Sequence, residues 1–117
     1  MNTNYSIIKT NIIQENMMSN PDLIKQFLTL YQTQLPVDFK ALNDAISRGD
    51  FKDIANKAHH IKPTMIYIGA NEQQKKLQKI ESAAQSKNSS EIQILFKELE
   101  KDYETLTDEI DLYLKHL

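Results

Sequence analysis

Residues 58–70 read A-H-H-I-K-P-T-M-I-Y-I-G-A, and they hold the side chains of this chain best suited to chemistry, a histidine with a lysine three positions on. A neutral imidazole nitrogen is a competent nucleophile toward phosphorus. A lysine one helical turn away supplies a cation for the phosphoryl oxygens that arrive. At about 100° per residue, His59, Lys62 and Ile66 fall on one strip of a helix. That strip flanks an apolar stripe of Ala58, Ile61, Met65 and Ile68, so His59 is expected at the edge of the buried face, still reaching water. Gly69 follows Lys62 on nearly the same side. It is expected to leave a low spot where another protein approaches the imidazole.

His60 is the rival acceptor, but it lies about 100° further round the helix, away from Lys62 and Gly69, and is expected to be a solvated neighbour. Adjacent helical histidines diverge, and with no cysteine or third nearby histidine to complete a set, no metal site is expected. Alone, His59 and His60 would read as surface histidines, Lys62 as a solvated lysine and Glu81 as a helix-surface acid.

The segment resembles the motif of histidine-containing phosphotransfer domains, in which A-H-x-[LI]-K-[GP]-[ST] is followed by five residues ending in Gly. The resemblance implies that His59 is the phosphoacceptor and Lys62 the phosphoryl-stabilising lysine. Thr64 takes the place of the family's small hydroxyl residue and Gly69 that of its small residue, so that Gly69, Ile66 and Thr64 belong to a surface where a receiver docks. The family also has a Gln or Glu on the following helix that accepts a hydrogen bond from the imidazole nitrogen not phosphorylated. Glu81, in L-Q-K-I-E, stands at the matching place. The P-D-L-I-K-Q-F-L stretch, the later proline and the G-D before the histidine helix are similar too. Pro63 departs from the glycine of many members and is expected to bend the turn around His59 and so bear on the orientation of Lys62.

The elements that must position these residues are helices. Two glycines and three prolines in 117 residues are few for strands and hairpins. Ile7, Ile8, Ile12, Ile13, Met17 and Met18 suit a short amphipathic helix within residues 1–18, covering one end of a bundle. Asn20, Pro21 and Asp22 form a helix start, followed by Leu23, Phe27, Leu30 and Tyr31 on one face. Pro36 is expected to kink or break this helix near Gln34 and Leu35 before Leu35, Phe39, Leu42 and Ile46 carry the stripe to Gly49. Asp50 caps the helix of Ile54, Ala58, Ile61, Met65 and Ile68. Asn71 with Gln74 is the expected cap of a helix carrying Leu77, Ile80 and Ala84, and Ser90 with Gln93 that of a last helix carrying Ile92, Leu95, Leu99, Tyr103, Leu106, Ile110, Leu114 and Leu117. The fold class expected is all-α: an antiparallel four-helix bundle with a short N-terminal helix or cap, residues 1–117 forming one phosphotransfer-like domain.

Bulk properties narrow the function. A composition 40% hydrophobic and 26% charged suits one folded domain. The formal net charge of −2 offers no general attraction to nucleic acid or anionic lipid. There is no long apolar run and no basic start followed by an apolar block, so a cytoplasmic location is expected, without membrane contact. No glycine-rich nucleotide loop is present, so autophosphorylation from ATP is not expected, nor any cofactor.

The resemblance implies a phosphorelay intermediate, not an enzyme in its own right. His59 accepts a phosphoryl group from a phospho-aspartate on one response-regulator receiver domain and passes it to another receiver's aspartate, the Mg²⁺ of the transfer coming from the receiver. The implied partners are receivers and a sensor histidine kinase, often a hybrid one, and the expected state is a monomer. Met1 leans only slightly toward the expectation of a free-standing protein over a piece of such a kinase. A helical module of the same fold that docks a receiver or kinase without chemistry is the alternative. An enzyme with a histidine general base is a third class, poorly served by a chain with no second catalytic constellation.

Overall fold

Local capping chemistry sets where the helices begin and end. In the computed structural model, which describes residues 5–117, Asn20 Oδ1 accepts from the amides of Asp22 (3.0 Å) and Leu23 (3.2 Å) and starts a helix with Pro21 in its first turn. Asp50 Oδ1 accepts from Asp53 N (3.1 Å) and starts the histidine helix. The five helices are α1 (Thr10–Asn16), α2 (Pro21–Arg48), α3 (Phe51–Tyr67), α4 (Asn71–Gln85) and α5 (Ser89–Lys115), and there is no strand among the described residues. The 28 residues of α2 span about 42 Å at 1.5 Å per residue, which accounts for the molecule's longest dimension of 45 Å.

Two expected caps are corrected. Asn71 is the first residue of α4, not its cap, and the preceding Ala70 provides no side-chain bond. Helix α5 is capped by Asn88, whose side chain accepts from Glu91 N at 3.2 Å, instead of by Ser90 with Gln93. The break expected near Gln34 and Leu35 does not occur: α2 runs unbroken through Pro36. Pro36 lies on the exposed side of the helix, while Leu28, Tyr31, Leu35, Phe39 and Leu42 before and after it share one core. Burial of that continuous stripe offsets the amide bond the proline omits.

Helix α2 packs on α3 and α5, and α4 also packs on α3 and α5. Ile54, Ala58, Ile61, Met65 and Ile68 are all buried, as their spacing predicts. On α2 the expected residues Tyr31, Leu35, Phe39 and Leu42 are buried, but near its start the buried face is one position off. Ile24 and Leu28 are buried, whereas Phe27 and Leu30 are exposed. No helix among the described residues is long and apolar enough to cross a membrane.

The N-terminal segment covers one end of α3. Lys9 N donates to Ile68 O (2.9 Å), Lys9 Nζ to Gly69 O (3.2 Å) and Asn16 Nδ2 to Tyr67 O (3.1 Å), so carbonyls left open by the end of the helix find donors. Of the helix expected within residues 1–18, residues 1–4 lie outside the described residues, and the helical part is limited to α1. Ile7 and Ile8 are buried from non-helical backbone, and Met18 is exposed.

Candidate functional site

Helix α3 presents His59 in mid-helix, one position beyond the buried Ala58, and the neighbouring helix α4 supplies its partners. The His59 side chain is 70% exposed, and its Nδ1 lies 3.4 Å from Oε1 of Glu81, a long contact. The same oxygen receives the Lys62 ammonium at 2.7 Å. Lys62 Nζ also donates to Gln78 Oε1 at 2.6 Å. Lys62 and Glu81 are far more enclosed than the histidine, at 13% and 16% exposure. The structure thus brings His59, Lys62 and Glu81 together, with Glu81 as the common point.

Burial pushes the Glu81 carboxyl up. The hydrogen bond and charge of Lys62, with smaller contributions from His59, outweigh that and hold it below its ordinary value. It is therefore an anion at neutral pH, able to accept from an Nδ1–H and keep the ring in that tautomer. Nε2, on the far side of the ring, then carries the lone pair.

Of the residues expected to meet a partner, Ile66 is 52% exposed and lies two turns along the strip from His59. Tyr67 beside it is 49% exposed and adds apolar surface. Thr64 is half-buried. Gly69 is buried, which corrects the expectation of an open low spot there. A Cβ on Gly69 would stand 2.7 Å from Lys9 Cβ and 3.2 Å from Ile12 Cβ, and the residue has φ +75°. Its role is to end α3 in a left-handed turn, with Ala70 N donating back to Met65 O at 2.9 Å, beneath the N-terminal segment.

His60 points to the other neighbour, its Nε2 3.6 Å from Asp38 Oδ1 of α2, in a groove also lined by Val37, Ala41, Asn56 and Lys57. It is exposed, as expected of a solvated neighbour, and faces the Asp38 carboxylate. Pro63 lies within α3, which continues to Tyr67. Among the described residues no group of three or more His, Cys, Asp or Glu side chains converges to hold a metal ion.

Gln78 is the member of this site that sequence reasoning missed. It precedes Glu81 by three residues on α4, so helical spacing places both on one face. In comparisons with known proteins, no family model, curated protein or solved structure matches this chain.

Proposed function

We infer that this chain is a histidine phosphotransfer module, in which His59 accepts a phosphoryl group from the phospho-aspartate of one receiver domain and passes it to the aspartate of another. One observation carries the reading: an open imidazole turns Nδ1 to the Glu81 oxygen that also binds the Lys62 ammonium, leaving Nε2 outward. In the first transfer the Nε2 lone pair attacks phosphorus. The P–O bond to the aspartate breaks, and the carboxylate leaves with its electron pair. The proton on Nδ1 stays with the ring, where Glu81 steadies it, and Lys62, bound to the same carboxylate, supplies a cation for the phosphoryl oxygens.

The finer architecture that suits this role is an antiparallel four-helix bundle of α2 to α5, capped by the N-terminal segment. The pairing of Asp38 with His60 and of Lys62 with Gln78 is consistent with α3 running antiparallel to both of its neighbours. Exposed Ile66 and Tyr67 beside an ionisable centre suit a docked protein better than a small substrate. The partners proposed are response-regulator receivers and a sensor histidine kinase, met by a cytoplasmic monomer that does not turn over a substrate of its own.

Phosphoramidate, a small phosphodonor, tests the reading. Phosphorus NMR is expected to reveal an acid-labile, base-stable phosphoramidate bond on the wild-type protein that is missing from His59→Gln. Receiver binding without any such phosphate would make the chain a docking module instead.

A further inference from the structure

Lys62 is engaged before any phosphoryl group arrives. Glu81 Oε1 and Gln78 Oε1, both on α4, take its ammonium at 2.7 and 2.6 Å. An ammonium has three donors, so these two acceptors leave one for anything else. A phosphoryl group on His59 Nε2 must therefore compete with a carboxylate for the cation that would stabilise it. Glu81 adds a second opposition. When a phosphorylated ring loses its Nδ1 proton, the carboxylate 3.4 Å away faces a nitrogen lone pair in place of a donor.

We propose that Glu81 and Gln78 park Lys62 on α4 and thereby raise the phosphoryl-transfer potential of His59, making its phosphorylated form a readier donor than a free lysine beside it would allow. This rests on the phosphoacceptor reading of His59. Gln78 acts only through Lys62, as a positioning residue. Glu81 acts on both Lys62 and the ring. An amide at position 81 would still accept from Nδ1–H, but without the charge that holds Lys62.

The test is phosphoryl exchange between phosphoimidazole and the full chain in mildly alkaline buffer, followed by phosphorus NMR. The His59 Nε2 lone pair attacks phosphorus, the P–N bond of phosphoimidazole breaks, and imidazole leaves with the electron pair. The departing ring takes one proton from the buffer and His59 Nδ1 returns one. The bond broken and the bond formed are of the same kind, so the equilibrium constant reports the surroundings of His59 alone.

Glu81→Gln is expected to shift that constant toward the phosphorylated protein by roughly fivefold or more. Gln78→Ala is expected to shift it in the same direction by about two- to threefold. In a Lys62→Met background the Gln78 effect should vanish and the Glu81 effect should shrink to its direct part on the ring, an outcome that general loosening of the fold would not produce. Thermal melts establish that each variant is folded. Unchanged or reversed constants in both single variants, with His59 still phosphorylated, overturn the parking of Lys62 and leave the acceptor standing. Effects that persist undiminished without Lys62 also overturn it. If no phosphate reaches His59 in the wild type, the acceptor reading itself falls.

Discussion

Glu109 holds Ser6 at two points: its Oε2 accepts from the Ser6 amide at 2.8 Å and from the Ser6 hydroxyl at 2.7 Å. Its other oxygen accepts from the amides of Ile7 (2.9 Å) and Ile8 (3.0 Å). A buried carboxylate on α5 thus satisfies three successive backbone amides of the N-terminal segment, groups that have no helix or strand to pair with.

Glu109→Gln is expected to lower stability by about 1–3 kcal/mol, since the amide keeps the shape but loses charge-assisted acceptance. Burial pushes the Glu109 carboxyl up, but its hydrogen bonds with Ile8, Ser6 and Ile7 outweigh this and hold it below its ordinary value. A carboxyl lowered on folding contributes stability above its unfolded value, about 4.3, that is lost as the pH falls through the folded value. Wild-type melting temperatures should accordingly fall more steeply below that pH than those of the variant. Parallel curves would show that the carboxylate contributes nothing specific.

His59→Gln should abolish phosphorylation by phosphoramidate and leave the melting temperature within a few degrees of wild type, because the side chain is mostly exposed. His60→Gln should be phosphorylated normally. Mass spectrometry and melts on the same samples check both, and the opposite pattern would move the site to the α2 side of the helix.

The two glycines separate strain from crowding. Both have positive φ, but a Cβ on Gly49 meets nothing within 4 Å, whereas one on Gly69 meets Lys9 and Ile12. Gly49→Ala is expected to cost about 1–2 kcal/mol from backbone strain. Gly69→Ala should cost more, by roughly 1–3 kcal/mol of added crowding, and should loosen the N-terminal segment. Denaturant unfolding with amide exchange at residues 7–13 tests this, and equal costs would remove the crowding.

Pro63 lacks the amide that would bond the carbonyl of His59, four residues earlier in α3. Pro63→Ala should therefore raise stability by roughly 1–3 kcal/mol, visible as a higher melting temperature. A lowered melting temperature would mean that the proline ring is better accommodated than the missing bond suggests.

What could be read from the chain was local. Asn20 and Asp50 cap because an Asx side chain reaches an amide two or three residues on, and Ala58, Ile61, Met65 and Ile68 share a face because a helix repeats every 3.6 residues. The motif around His59 and its spacing to Glu81 pointed to two side chains that the structure brings to 3.4 Å. Where α2 carries apolar residues on several faces, periodicity could not choose among them. Packing against α3 and α5 selected Ile24 and Leu28 over Phe27 and Leu30.

Tertiary structure alone decided the rest, because it depends on residues distant in sequence meeting in space. Nothing near Gly69 in the chain announces that Lys9 and Ile12 will lie over it, so a glycine that looked like an opening is a close contact. Gln78 and Glu81 are ordinary helix-surface residues until α4 packs on α3 and both turn to Lys62. Glu109, one acid among sixteen Asp and Glu residues, becomes distinctive only because unpaired amides a hundred positions earlier come within reach of it. Composition and spacing determine which side chains are available and which helix face they occupy, whereas the carboxylate that each cation or amide finds is set by the packing of whole helices.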